Sequence, residues 1–150
     1  AEAMDILAEE GFVYDSSMAP LKIIGNESYP QNPWQVSTAT GKLWELPPLT
    51  LKTPFGRYPA GGSWGLRCLP YPLIKQRVQK LNERHTPALF YFHPREFGGK
   101  RSVPGLPASK KFALHGGIWR SGSQLERLAA DFQFVSVAEY LGSYASLGNH

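Results

Sequence analysis

Residues 87–97 have the sequence Pro-Ala-Leu-Phe-Tyr-Phe-His-Pro-Arg-Glu-Phe, and this stretch decides the fold class. Five consecutive apolar residues lie between two prolines, which is typical of a short strand buried on both faces. The aromatic content also favours a strand over a helix. Because strands of this kind occur in parallel sheets that helices cover, the sequence predicts an α/β fold.

His93 directly follows this predicted strand, and Asp15 follows a second one at residues 12–14, after a predicted helix over residues 1–10. In parallel α/β folds the chemistry gathers at the carboxyl ends of strands. We therefore expect Asp15 and His93 on one rim of one sheet, where a carboxylate would favour the protonated imidazole and make His93 a general acid. Two simpler interpretations stay open. His93 can be a packing residue at a strand end, and Asp15 can close an Asx-turn.

The carboxyl-terminal half has several helix signals. Apolar residues at helical spacing, including Leu73, predict a helix over residues 70–84. Ser-x-x-Glu capping boxes at 123–126 and 136–139 predict the starts of two more helices. The aromatic run at 132–135 predicts a strand between them. The repeated order of helix, short turn and strand supports parallel strands.

The other segments are less regular. Residues 18–42 and 94–118 are rich in proline, glycine and polar residues and are predicted to be long loops. Residues 43–51 look extended, but their paired prolines predict an edge strand or a broken one. The glycine-rich stretch 59–65 holds Trp64 and predicts either close backbone packing or the rim of a ligand site.

Composition narrows the function classes. The chain has 150 residues, a net charge of +4 and one cysteine, so it holds no internal disulfide. Its basic residues are scattered, which does not indicate a nucleic-acid surface, and no apolar run approaches membrane-spanning length. The four histidines show no ligand-like spacing, and no Gly-x-Ser-x-Gly elbow occurs. The first residues do not resemble a signal peptide, and we expect a chain cut from something longer.

Two segments together resemble a known family. Residues 91–96 (Tyr-Phe-His-Pro-Arg-Glu) and 6–17 (Ile-Leu-Ala-Glu-Glu-Gly-Phe-Val-Tyr-Asp-Ser-Ser) are similar to the carboxyl-terminal half of polysaccharide deacetylases. These are the NodB-homology carbohydrate esterases, and the branch resembled is found in bacterial exopolysaccharide loci. Residues 43–48, 61–71 and 125–141 are similar too, so the resemblance covers nearly the whole chain.

The resemblance implies a distorted (β/α) barrel that removes acetyl groups from N-acetylated sugars. In that family a divalent metal, usually zinc, is held by one aspartate and two histidines, and a second aspartate acts as base. His93 matches the histidine that protonates the departing amine, and Asp15 is the best match to the aspartate that tunes it. The corresponding sugar-binding wall would include Trp64, Gly62, Glu96 and Trp34.

The family segments that carry the base and the metal ligands have no counterpart in these 150 residues. We therefore predict that residues 1–150 form one domain fragment, a partial barrel without its amino-terminal strands, together with a carboxyl-terminal extension. The fragment would bind no metal and be inactive by itself. Its expected partners are an N-acetylated polysaccharide and either the missing amino-terminal half or a second copy. The resemblance leaves both the bacterial cytoplasm and the cell envelope open.

Two other classes of function remain open. A non-catalytic carbohydrate-binding module could stack sugar rings on Trp34, Trp64, Tyr71 and Trp119. A structural or interaction domain would instead use the same aromatic side chains as core.

Overall fold

The computed structural model describes residues 2–22, 24–54, 56–98 and 104–147. Within these ranges the chain is mixed α/β, with small sheets and with helices concentrated in its carboxyl-terminal half. The elements, in chain order, are α1 (Glu2–Glu9), β1 (Tyr14–Asp15), β2 (Trp34–Ser37), β3 (Lys42–Glu45), β4 (Thr50–Thr53), β5 (Gly56–Pro59), α2 (Ser63–Cys68), α3 (Tyr71–Asn82), α4 (Ala108–His115), α5 (Trp119–Asp131) and α6 (Val137–Leu147). A single 3-10 turn covers Pro94–Glu96.

The first sheet has the strand order β1-β3-β2. β1 runs parallel to β3, and β2 runs antiparallel to it. Side chains alternate along β3, so that Leu43 and Glu45 are buried while Lys42 is exposed. Of the two predictions for residues 43–51, an edge strand or a broken one, the edge position does not hold, because β3 is central. The segment is nevertheless broken, since β3 ends before Pro47 and Pro48.

The second sheet is the hairpin of β4 and β5. Neither sheet closes into a barrel within the described ranges.

Residues 18–42 are less irregular than predicted, because they contain β2. No helix in the described part of the chain is long and apolar enough to cross a membrane.

The stretch that decided the fold class is extended but makes few sheet contacts. Leu89 forms one parallel bridge with Pro48, and the Leu89 carbonyl accepts a hydrogen bond from the Leu49 N–H at 3.0 Å. The parallel direction is as predicted, whereas burial on both faces is not, because Leu89 is only half-buried. The ladder stays short since Pro48 has no N–H to donate.

The core lies between α3 and the segments that pack on it. Ile74, Val78 and Leu81 are spaced four and three residues apart and face inward together. Leu73, which belongs to the apolar spacing that predicted this helix, lies one position away and is 43% exposed, so it is outside the core. The other buried members of the cluster are Leu49, Ala60, Leu66, Tyr71 and Leu128.

The carboxyl-terminal helices differ from the sequence prediction in two ways. α5 begins at Trp119, before the capping box expected at 123–126, and Ser123 Oγ donates to the carbonyl of Arg120 instead. The loop expected at 94–118 contains α4, and residues 132–135 form no ladder, so the predicted strand is wrong. The second capping box is confirmed, because Glu139 N–H donates to Ser136 Oγ and Ser136 N–H donates to Glu139.

Candidate functional site

His93 lies on the surface at the end of the extended segment. Its ring is exposed and stands 6.1 Å from the ring of Tyr91, nearly perpendicular to it. Gly62 packs directly against Tyr91, and a Cβ atom at Gly62 would lie 2.7 Å from Cζ of that ring. At Gly61 a Cβ atom would lie 2.3 Å from the carbonyl oxygen of Leu89. The two glycines therefore allow the close backbone packing that was one of the two predictions for this stretch.

A buried ion pair anchors the turn that follows His93. The Glu96 N–H donates to the His93 carbonyl at 2.9 Å, which fixes the backbone of the turn. Arg67 Nε donates to Glu96 Oε2 at 2.7 Å, and Arg67 Nη2 donates to Oε1. Ser121 Oγ adds a third hydrogen bond to Oε2, at 3.1 Å. This network ties the imidazole-bearing segment to α2 and α5.

Glu96 does not occupy the position expected of a sugar-binding residue. Its side chain has no exposed surface, and both carboxylate oxygens are bonded inside the protein. Burial alone would raise the pKa of Glu96, but the Arg67 guanidinium and the Ser121 and Ser63 hydroxyls outweigh that effect and lower it. The geometry thus assigns Glu96 to the support of the turn.

Trp64 is connected to the anchored turn through Arg67. It stands in the first turn of α2, directly after the glycine pair, and is 42% exposed. The guanidinium carbon of Arg67 lies 5.7 Å from the centre of the Trp64 ring. Arg67 therefore contacts an exposed aromatic ring while it holds Glu96.

Asp15 lies in a different place, in a row of side chains across the first sheet. It is in register with Glu45 of β3, which is in register with Trp34 of β2. Asp15 Oδ2 accepts a hydrogen bond from the Ser17 N–H at 3.2 Å and another from the Ser17 hydroxyl. The Asx-turn interpretation of Asp15 is therefore confirmed.

The structure does not bring Asp15 and His93 together. Asp15 pairs with Glu45, whereas Leu89 pairs with Pro48, which lies farther along the same segment. His93 follows Leu89 in the chain and therefore lies farther still from Asp15 along this direction. No hydrogen bond or ion pair joins the two side chains in the part of the chain that the structure describes. Trp34 lies in the same row as Asp15, whereas Gly62 contacts Tyr91, whose ring neighbours His93.

Glu45 is a feature that the sequence reasoning missed. Its side chain has no exposed surface, and Oε1 accepts a hydrogen bond from the Met18 N–H at 2.9 Å. Oε2 is buried and receives no hydrogen bond from the described residues. Burial raises the pKa of Glu45 to about 7, and the neighbouring Asp15 carboxylate adds to the rise. The hydrogen bond from the Met18 N–H lowers the pKa but does not outweigh these effects. The available signal was the alternation of β3, which puts Glu45 on the inward face with Leu43.

Two aromatic residues remain as possible platforms for sugar rings, and they differ in exposure. Tyr71 is buried, and its hydroxyl donates to the Arg127 carbonyl at 2.9 Å, so it offers no platform for a sugar. Trp119 at the start of α5 is 77% exposed.

The described side chains do not fit the metal that the resemblance implies. Within residues 2–22, 24–54, 56–98 and 104–147, no three His, Cys, Asp or Glu side chains gather into a possible ligand set. Among the described residues, the buried carboxyl oxygen without a hydrogen-bond partner belongs to Glu45, and the neighbouring carboxylate is that of Asp15.

The geometry defines a mixed α/β domain that presents an anchored, exposed imidazole. A family model described as a domain of unknown function (DUF3473) matches residues 16–142, which is most of the chain. The chain belongs to this family, which is associated with the carboxyl-terminal regions of polysaccharide deacetylases. No curated protein and no solved structure matches this chain.

Proposed function

We propose that this chain is the carboxyl-terminal part of a metal-dependent polysaccharide deacetylase that hydrolyses N-acetyl groups of a bacterial polysaccharide. The observation that supports it is the position of His93, an exposed imidazole whose following turn is held by the buried pair of Arg67 and Glu96. The family association agrees with this role. In the complete enzyme the strands described above would form one side of a (β/α) barrel.

The task of His93 is to supply a proton. Hydrolysis of an acetamide breaks the bond between the acetyl carbon and the sugar nitrogen, and that nitrogen leaves readily only when it gains a proton. An imidazolium at the surface delivers this proton, and the products are acetate and a free amino sugar. Because the turn after His93 is fixed from inside the protein, the backbone that carries the ring is held in place. We assign the base and the divalent metal, zinc in the family resembled, to the amino-terminal half.

Replacing His93 with alanine tests the proposal in an enzyme completed with its amino-terminal half. We expect kcat for acetate release from an N-acetylglucosamine oligomer to fall by roughly a hundredfold, the usual contribution of a general acid. Binding of the oligomer should be retained. The 150-residue chain alone, supplied with zinc, should release no acetate.

The matched control is His85→Asn. His85 is exposed and has a φ of 53°, a conformation that asparagine tolerates. This variant should keep full turnover. Unchanged turnover in His93→Ala, or acetate release by the chain alone, would count against the assignment.

We further propose that the chain associates through the edge of β1. Phe12, Val13 and Tyr14 are exposed apolar residues at this edge, and Ile6 of α1 is exposed nearby in the chain. An exposed apolar edge strand favours pairing with another strand. In the complete enzyme that strand belongs to the amino-terminal half, and in the isolated chain it belongs to a second copy.

Light scattering measures the association directly. The isolated chain should be larger than a monomer, and Val13→Lys should shift it towards monomer, because a charge at an edge strand opposes pairing. Leu73→Lys is the control, since Leu73 is exposed on α3 and away from the edge. A monodisperse wild-type monomer would refute the proposal.

A non-catalytic carbohydrate-binding module is the second candidate. The exposure of Trp119 and Trp64 favours it, because exposed indole rings can stack on sugar rings. A titration with neutral oligosaccharide, followed by tryptophan fluorescence, distinguishes this candidate from the first. Binding that depends on Trp119, with no turnover in the completed enzyme, would favour the module.

A further inference from the structure

A groove of about 900 Å³ lies between α3, β4 and the segment before β2. Four cationic side chains line it, from Lys52, Arg77, Lys80 and Arg84. The neutral polar side chains of Gln31 and Thr86 also line it. The groove is separate from the surface around His93, because none of the residues there takes part in its lining. We call it the basic groove.

The positive charges of the basic groove are not neutralised inside the protein. Among the described residues, none of the four cations forms an ion pair with a carboxylate. Arg77 instead donates to neutral acceptors, from Nε to the Thr50 carbonyl at 3.1 Å and from Nη2 to Gln31 Oε1 at 3.1 Å. Glu27 and Glu83 are the acids of the adjoining segments, and both are exposed.

A fifth cation adjoins this set and increases the repulsion. Arg57 of β5 is in register with Lys52 of β4, so two like charges stand opposite each other on one face of the hairpin. Such a pair destabilises a sheet. Desolvation lowers the pKa of Arg77, and repulsion from Arg84 and Arg57 lowers it further.

Arg57, which does not itself line the basic groove, has an unsatisfied guanidinium nitrogen. Its Nη1 atom is buried and has no hydrogen-bond partner among the described residues. A buried guanidinium nitrogen without an acceptor is costly, and buried polar groups are normally satisfied. An anion held between the cations of the groove would reduce the repulsion among them.

We propose that the basic groove binds an anionic segment of a glycan, through carboxylate, sulfate or phosphate groups carried on its sugar rings. The volume suits a ligand larger than a single inorganic anion. Amide and hydroxyl side chains in the lining can bond sugar hydroxyls. No aromatic ring lines the groove among the described residues, which disfavours single-stranded nucleic acid, since its bases stack on such rings.

The choice of a glycan as the ligand rests on the proposed function, whereas the choice of an anion rests on the charges alone. If the chain binds anionic glycan but the completed enzyme shows no turnover that depends on His93, this inference stands and the proposed function fails. If turnover depends on His93 but no anionic glycan binds, the proposed function stands and this inference fails.

Titration calorimetry on the 150-residue chain tests the inference with four probes: an oligogalacturonate, a heparin oligosaccharide, a neutral N-acetylglucosamine oligomer and a single-stranded oligonucleotide. One of the two anionic glycans should bind more tightly than the neutral oligomer and the oligonucleotide. Added salt should weaken the binding of that glycan. The oligogalacturonate arm reports carboxylate recognition, and the heparin arm adds sulfate.

The decisive variant is the double substitution Lys80→Gln/Arg84→Gln. Both side chains are exposed, so the fold should be retained, and affinity for the preferred anionic glycan should fall about tenfold. Lys110→Gln/Lys111→Gln is the matched control, because it removes the same charge from the exposed face of α4 and should leave affinity unchanged. Tightest binding by the oligonucleotide, equal binding by the neutral oligomer, or equal losses in both double variants would overturn the inference.

Discussion

The variant Arg67→Met should lose about 3–5 kcal/mol of unfolding free energy, the range for a buried ion pair with one partner removed. The side chains of Arg67 and Glu96 have almost no exposed surface, so the carboxylate would stay buried without its main donor. The variant also loses the hydrogen bond from Arg67 Nη1 to the Ala113 carbonyl at 3.0 Å. Urea denaturation followed by circular dichroism measures the change.

Arg95→Met is the matched control for this prediction. Arg95 also faces Glu96, with its Nε 3.7 Å from Oε1, but its side chain is 54% exposed. Exposed pairs contribute less than about 1 kcal/mol, so the control should change stability little. If both variants lost the same small amount, the anchoring role assigned to Arg67 would be wrong.

The second large effect is a loss of stability with rising pH that depends on Glu45. Its pKa is about 7 in the folded chain, above its ordinary value of 4.5, so the folded state binds the proton more tightly than the unfolded state. The stabilisation is fully present below about pH 4.5 and is lost as pH rises towards 7. The shift corresponds to about 3 kcal/mol.

Glu45→Gln should remove this part of the pH dependence. The amide keeps an acceptor for the Met18 N–H and offers a donor to Asp15 without any titration. Unfolding free energies measured in urea from pH 4.5 to pH 8 should fall for the wild type and fall less for the variant. Glu10→Gln, at an exposed position after α1, is the control and should follow the wild type. Parallel curves for wild type and Glu45→Gln would contradict the prediction.

Local signals in the sequence predicted what local interactions determine. α3 follows from apolar spacing, the start of α6 from a capping box, and the end of α1 from Gly11, which has a φ of +82°. The capping box at 123–126 failed because α5 continues through it, and Ser123 bonds a carbonyl within the helix. The parallel direction of the segment before His93 was also predictable from its composition.

The candidate site was less predictable, because it depends on which segments meet. Strand ends alone suggested that Asp15 and His93 share a rim, but the register of β1 with β3 places Asp15 beside Glu45. The partner of Glu96 comes from a helix far away in sequence, and no spacing pattern connects Arg67 to it. Of the residues that the resemblance grouped with His93, Gly62 is buried against the Tyr91 ring and Trp64 is exposed at the start of α2.

The glycine pair at 61–62 limits how this surface can diversify during evolution. Backbone atoms, with no side chain between them, form the contact beneath Tyr91. A methyl group at residue 61 would have to displace the Leu89 carbonyl oxygen, whereas one at residue 62 would meet the outer end of the exposed Tyr91 side chain. Variation of this part of the chain is therefore expected at exposed side chains such as those of Trp64 and Tyr91, which can change without disturbing the contact of Gly61 with Leu89.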